Sequence, residues 1–312
     1  MKHFEGDLDA DQLASGSPLA RELSDLTARR RILELPAPPL PSHTRVITIS
    51  NQKGGVGKTT STVNLAAALA RFGARVLVID LDPQGNASTA LGVEHHGDTP
   101  SILDVLLDGA DFREVIQQSP EEGELYCIPS NLHLAGAEVE LALMSENREF
   151  ILRGAMQRFL ESSPRPFHYI LIDCPPSLGL LTINAFAAAQ EVLIPIQCEY
   201  YALEGVTQLV NTIGLINQRL NPSLHISTVL LTMFDSRTRL AHEVANDVRT
   251  HFPQQTLQAV IPRAVRVSEA PSFQQTVISH DTMSIGSISY LEAAYELATR
   301  GAPAASVQQG EH

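Results

Sequence analysis

The 312-residue chain carries 22 basic and 35 acidic residues for a net charge of −13, with 44% hydrophobic residues, 18% charged and no Trp. That is enough apolar material for a sizeable core, and the acidic balance excludes a histone-like coat of positive charge, so any nucleic-acid contact needs a local patch. Cys127, Cys174 and Cys198 stand far apart without a CxxC pair, which excludes a disulfide framework and a zinc ribbon and fits a reducing cytoplasm.

Residues 1–44 read as an extension that is expected to be flexible. It has an acidic start without the apolar run of a signal peptide, a short helix over Leu19–Leu35, the triplet Arg29 to Arg31, and a stiff proline-rich linker from Pro36 to Pro41. From Arg45 apolar strands alternate with helical segments. Strands are predicted at Arg45–Ser50, Arg75–Asp80, Leu125–Pro129, Tyr169–Asp173, Val192–Gln197, Ile226–Thr232 and Leu257–Ile261. Most are continuous apolar runs, as in strands buried on both faces, which predicts an α/β fold with a mostly parallel sheet and helices on both faces. Helices are predicted over Thr59–Phe72, Leu132–Ser145, Arg148–Glu161, Leu203–Leu220, Thr238–His251 and Ser284–Arg300. The expected organisation is one domain over residues 45–300 and a flexible tail over 301–312. No window reaches the roughly 18 apolar residues of a membrane-spanning helix.

Only Lys2, Lys53 and Lys58 among the basic residues are lysines, and two of them share one loop. Codon bias towards arginine accounts for the scarcity. A lysine kept under that bias marks a place where a compact point charge is wanted and a planar fork is not.

That loop follows the first strand and opens the first helix: Gln52, Lys53, Gly54, Gly55, Val56, Gly57, Lys58, Thr59, Thr60. Strand, glycine turn and helix N-terminus are what a phosphate-binding loop requires. Gly54, Gly55 and Gly57 let backbone N–H groups turn inward around phosphate oxygens. Lys58 can reach the β and γ phosphates, the Thr59 hydroxyl can ligate Mg²⁺, and Thr60 is available to the α phosphate. Against the G-x-x-x-x-G-K-[ST] string the first glycine position is Gln52, and Lys53 adds a second ammonium, which polyphosphate would stabilise.

The segment Lys53 to Thr59 resembles the deviant Walker A motif of the ParA/MinD family of P-loop ATPases. Asp80 to Asn86 is similar to that family's switch I, and Ile170 to Pro176 to its Walker B strand and switch II turn. Glu199 to Gly205, Val260 to Arg266 and Glu269 to Phe273 resemble the ParA/Soj chromosome-partitioning branch. The resemblance spans roughly residues 45 to 300 and implies the P-loop NTPase fold with ATP and Mg²⁺. It further implies a sandwich homodimer in which Lys53 reaches the partner's nucleotide, since the chain holds no obvious arginine finger of its own.

Asp82, beyond the second strand, stands at the sheet edge where ligands bind in open α/β folds. An isolated Asp before Pro83 would be a turn former; the resemblance implies that Asp82 positions the attacking water and supports the Mg²⁺ shell. Asp80 is expected to end the strand and support the site from behind. Asp173 closes a buried strand, where a carboxylate needs a partner such as the Mg²⁺ shell or the Thr59 hydroxyl. Adenine contacts are expected from the loops after late strands, with Met233, Pro262 and Arg263 as candidates by resemblance. The cysteines are read as core thiols.

Residues 236–268 hold Arg237, Arg239, Arg249, Arg263 and Arg266 against Glu243 and Asp247. By similarity to ParA/Soj proteins, Arg237 and Arg266 fall where DNA-contacting arginines occur, giving sequence-independent, salt-sensitive binding. Gln274 and Gln275 stand where relatives often carry a lysine. The C-terminal helix is acidic-faced, unlike a basic amphipathic membrane anchor. The expectation is a cytoplasmic, nucleoid-associated ATPase of chromosome or plasmid partitioning, stimulated by a ParB-type centromere-binding partner. The alternative is a nucleotide-gated positioning or adaptor protein acting through a protein or membrane receptor.

Overall fold

A computed structural model describes residue 24, residues 26–200 and residues 202–300. The chain divides into two units, residues 1–36 and 37–312. Of the predicted Leu19–Leu35 helix, residues 26–29 are helical and tighten into a 3₁₀ turn over Arg30–Glu34; the rest lies largely outside the described residues. Leu35 is extended, with ψ 146°, the backbone that a following proline imposes. The 301–312 tail also lies outside the described residues.

The second unit begins with β1 (Arg45–Ile49), α1 (Lys58–Arg71) and β2 (Arg75–Asp80). Three short helices follow, α2 (Asn86–Ala90), α3 (Ile102–Leu107) and α4 (Phe112–Val115), then β3 (Gln117–Gln118) and β4 (Glu124–Ile128). Next come α5 (Leu134–Leu143), α6 (Ile151–Ser162), β5 (Tyr169–Asp173), α7 (Leu180–Ala188) and β6 (Glu191–Gln197). The chain continues through α8 (Glu204–Arg219), β7 (His225–Phe234), α9 (Arg239–His251) and β8 (Thr256–Pro262). It closes with α10 (Val265–Glu269), a 3₁₀ turn (Ala270–Phe273), α11 (Val277–His280) and α12 (Ile285–Arg300).

The eight strands form one sheet in the order β3-β4-β2-β5-β1-β6-β7-β8, parallel except for the β3 edge, which runs antiparallel to β4. Every predicted strand is present, and the expected parallel α/β fold is the observed one. β5 is buried along its whole length and β1 along all but its first residue, because helices cover both faces. The chain leaves β1 towards β2 on one side and returns through β5 to β6 on the other. That reversal of winding beside β1 opens a crevice at the carboxyl ends of the strands, where the glycine loop lies.

The sequence reading missed the short helices α2, α3, α4, α10 and α11, the 3₁₀ turn at Ala270–Phe273, strand β3 and helix α7. β3 is a two-residue edge, too short to show a period. Helix α7 buries seven of its nine residues, including Leu181, Asn184 and Phe186, so it has no polar face to announce it. All three cysteines are free and buried. The C-terminal helix α12 buries Ile288, Tyr290, Leu291 and Leu297 and packs on α1 and β8.

Candidate nucleotide-binding site

The loop between β1 and α1 turns on two left-handed glycines, Gly55 (φ 73°) and Gly57 (φ 88°), a conformation that a Cβ would oppose. Gly57 is the N-cap of α1, so the first amides of the helix open into the loop. Two side chains from outside the motif fasten it. Asn51 accepts the Lys53 amide at 3.0 Å and donates to the Pro195 carbonyl at 2.8 Å, tying the loop to β6. Thr232 of β7 donates to the Val56 carbonyl at 2.8 Å. Sequence reading passed over both, since Pro195 and Thr232 lie far from the loop in the chain.

Lys58 is only 7% exposed, and its Nζ donates to the Lys53 carbonyl at 3.4 Å. Burial lowers its pKa, opposed by the carboxylates of Asp173 and Asp82 and by Cys174. Asp173 is fully buried at the end of β5. Its Oδ1 accepts the Thr62 hydroxyl at 3.1 Å, while Oδ2 is enclosed without a hydrogen-bond partner. Burial raises its pKa to about 8; neighbouring Asp80 adds to the rise, and the Thr59 and Thr62 hydroxyls oppose it.

Asp80 is directly across the strand pair from Asp173. Its carboxylate accepts the Asp82 amide at 3.1 Å and the Ser88 amide and hydroxyl at 2.9 and 2.7 Å, so it closes the turn after β2 from inside. Burial lifts it to about 6 against these hydrogen bonds. Asp82 follows, 9% exposed, its Oδ1 accepting the Gln84 amide at 3.0 Å. Asp80 thus sits inside the turn after β2, and Asp82 stands on the turn itself.

These residues suit a divalent cation. A buried carboxylate oxygen without a partner, a hydroxyl beside it and a lysine that burial disfavours are a set that a hard cation with phosphate oxygens would complete. Among the described residues no cluster of three or more His, Cys, Asp or Glu converges into an all-protein metal cage. Mg²⁺ is commonly held by one or two carboxylates together with substrate phosphates.

Beside the loop lies a cavity of about 280 Å³, whose lining includes Gly57, Thr60, Met233, Pro262, Arg263 and Tyr290. The three residues expected to contact adenine therefore line one cavity with the loop. Met233 holds a left-handed backbone, φ 51°. Arg263 is anchored by its amide to the Phe234 carbonyl and by its guanidinium to Glu199 at 2.8 Å. Tyr290, whose hydroxyl meets Ser61 at 3.4 Å, was not expected there.

The arginine patch is less positive than its sequence window suggests. Arg237 makes paired contacts of 2.9 and 2.8 Å with Asp235, whose carboxyl these bonds hold at about 2. Arg266 pairs with Glu269 at 3.3 Å and Asp281 at 3.6 Å, and Arg239 with Glu243 at 2.7 Å. Asp235, Glu269 and Asp281 all fall outside residues 236–268, so a count within the window missed them. Exposed ion pairs of this kind contribute little and can exchange for phosphate. No helix among the described residues is long and apolar enough to cross a membrane.

A family model described as an AAA domain matches residues 44–226. The chain is 50% identical over 259 residues to the chromosome partitioning protein ParA of Myxococcus xanthus, covering 83% of this chain and 89% of that protein. It is 49% identical to the sporulation initiation inhibitor protein Soj of Bacillus subtilis, covering 82% of this chain and 99% of that one. Among solved structures it is similar to a cobyrinic acid a,c-diamide synthase from Mycobacterium smegmatis with bound ATP analogue and magnesium. That match has TM-score 0.69, 37% identity and coverage of 81% of this chain and 94% of the other. The cell division ATPase MinD of Pyrococcus furiosus aligns with TM-score 0.65 and 26% identity, over 81% and 98% of the two chains.

Proposed function

The chain belongs to the ParA/Soj family of P-loop ATPases, and on that premise we propose that it is an ATP-dependent DNA-partitioning enzyme of a chromosome or plasmid system. In this reading ATP closes a sandwich dimer, the dimer binds DNA without sequence preference, and a ParB-type partner triggers hydrolysis and release. The observation that carries the proposal is the buried constellation of Lys58 and Asp173 at the mouth of the glycine loop, with Asp173 Oδ2 left without a partner.

The loop amides and Lys58 hold the β and γ phosphates, and Met233, Pro262 and Arg263 cover the adenine. Thr59, Asp82 and Asp173 would hold Mg²⁺, which when bound neutralises charge developing on the transferred phosphoryl group. Asp82 orients the attacking water, and Asp80 keeps Asp82 forward by accepting its amide. Lys53 contributes across the dimer, which makes hydrolysis depend on association.

Acid partners on Arg237 and Arg266 favour a second reading, in which the nucleotide gates a positioning or adaptor protein that acts through a receptor. Binding of the purified protein to an arbitrary duplex at fixed moderate salt, with ATP and Mg²⁺ against ADP, separates the two. Binding with ATP alone supports partitioning. Absence of duplex binding in both states, with ATP still bound, supports the adaptor.

A further inference from the structure

Asn64 lies on the second turn of α1, closed off from solvent, and its two polar atoms serve different parts of the chain. Nδ2 donates to the Thr60 carbonyl at 2.7 Å, and Oδ1 accepts the amide of Val277 at 2.7 Å. Val277 is the first residue of α11, a single turn with no side-chain cap of its own. The preceding amide, that of Thr276, goes to buried Glu121 at 2.7 Å, and the same oxygen takes the Ser279 hydroxyl at 2.7 Å. The amides of the N-cap Thr276 and of Val277, the first residue of α11, are thus satisfied by residues more than 150 positions away, one of them on the helix that begins in the phosphate loop.

What α11 positions is the arginine-bearing segment. Residues 264–276 run from β8 to α11 and include Arg266, which is ion-paired to Asp281 just beyond α11. The same segment reaches the cavity beside the loop, which Val267 and Ser268 line together with Thr60. A ligand filling that cavity would touch Thr60, where the tether starts, and α10, which lies in the segment leading to α11 at the tether's other end. A mid-helix Asn usually faces solvent or bonds its own helix, so the long-range half of this bridge is a specific feature of the fold.

We propose that Asn64 is a positioning residue that couples occupancy of the nucleotide site, through the Thr60 carbonyl and the Val277 amide, to the placement of residues 264–283. This rests on the reading of the loop as a nucleotide site and of Arg266 as a DNA contact. Coupling arises only if the bridge differs in strength between the nucleotide states, because a ligand shifts an equilibrium by no more than its differential affinity.

Two variants break the bridge from opposite sides. Asn64→Ala removes both bonds. Val277→Pro removes the amide while leaving Asn64 in place, though it also changes a buried side chain: the first helical position accepts proline, and Thr276 already has the extended backbone (ψ 164°) that precedes one. Amide hydrogen exchange over 264–283 is measured in the full chain with a non-hydrolysable ATP analogue and Mg²⁺ against ADP, alongside affinity for an arbitrary duplex. The wild type is expected to show state-dependent protection of the segment and a duplex affinity about tenfold higher with the ATP analogue. Each variant should bind the analogue within about threefold of wild type yet lose most of both differences, and the double variant should be no worse than either single one.

A variant that keeps the full nucleotide response of 264–283 overturns the proposal, as does a wild type whose segment ignores the nucleotide. If the wild type binds no duplex in either state but its exchange response is present and lost in the variants, the DNA reading fails and the coupling stands.

Discussion

Thr232 donates its hydroxyl to the carbonyl of Val56 at 2.8 Å, so the phosphate loop is fastened from a strand two places away from the one that feeds it. Both residues are buried, and no water can replace the donor. Thr232→Val keeps the shape and removes the hydroxyl, leaving a buried carbonyl unsatisfied. The expected loss is about 1–3 kcal/mol of stability, read by denaturant unfolding, with a severalfold weaker ATP affinity as the loop loosens. Unchanged affinity with lowered stability would show that Gly55 and Gly57 hold the loop geometry without help.

Lys58 and Asp82 separate binding from turnover. Lys58→Ala removes the buried ammonium that faces the phosphates, and nucleotide binding should fall below detection in calorimetry. Asp82→Ala should leave ATP and DNA binding near wild type while stopping phosphate release. Its own hydrogen bond, to the Gln84 amide, belongs to an edge turn, so the fold should survive. Tight ATP binding by the Lys58 variant would remove the loop from its role, and undiminished turnover by the Asp82 variant would reassign the water-positioning group.

The fold was legible where burial leaves a periodic or compositional trace. The apolar run at β5 and the glycine loop before α1 announce themselves, since a strand buried on both faces and a phosphate loop each have few residue choices. Helix α7 left no trace because it is covered on nearly every side, and Asn184 within it bonds the Leu152 amide and the Arg148 carbonyl, not solvent. The motif residues of the site were legible in the same way. Asn51, Asn64 and Thr232 were not, because each is defined by a partner brought close only in the folded chain. The acids that neutralise Arg237 and Arg266 were missed for a related reason: charge counted in a window ignores neighbours at its edges.

The two facing carboxyls fix the sign of a pH dependence. In the nucleotide-free protein burial pushes Asp173 up to about 8 and Asp80 up to about 6. In the unfolded chain both release their protons near pH 4. Between those values the folded state binds more protons at these two groups than the unfolded one does, so their contribution to stability is full below about pH 4 and is lost as pH rises to about 8. Asp173→Asn removes the larger contribution. Its thermal midpoint should vary less with pH across that interval than that of wild type, measured without nucleotide or Mg²⁺. An equal slope in the two proteins would mean that Asp173 is ionised throughout in the native state.

Arg237 is 82% exposed yet held by Asp235 in a two-pronged contact, which makes the strength of DNA binding adjustable from either residue. If the two predicted arginines contact phosphates, replacing Arg237 and Arg266 together by Ala should weaken duplex binding in the ATP state at moderate salt. The slope of log affinity against log salt should also become less steep by about two. Asp235→Asn works in the opposite direction. It removes a carboxylate that competes with phosphate for the same guanidinium and should raise duplex affinity severalfold, with a steeper salt slope. Because Asp235 also accepts the Arg237 amide, the Asn side-chain oxygen preserves that bond and leaves the turn in place. If the arginine pair is silent and Asp235→Asn changes nothing, the ion pairs are a solvated surface feature, and the contact with cargo lies elsewhere on the molecule.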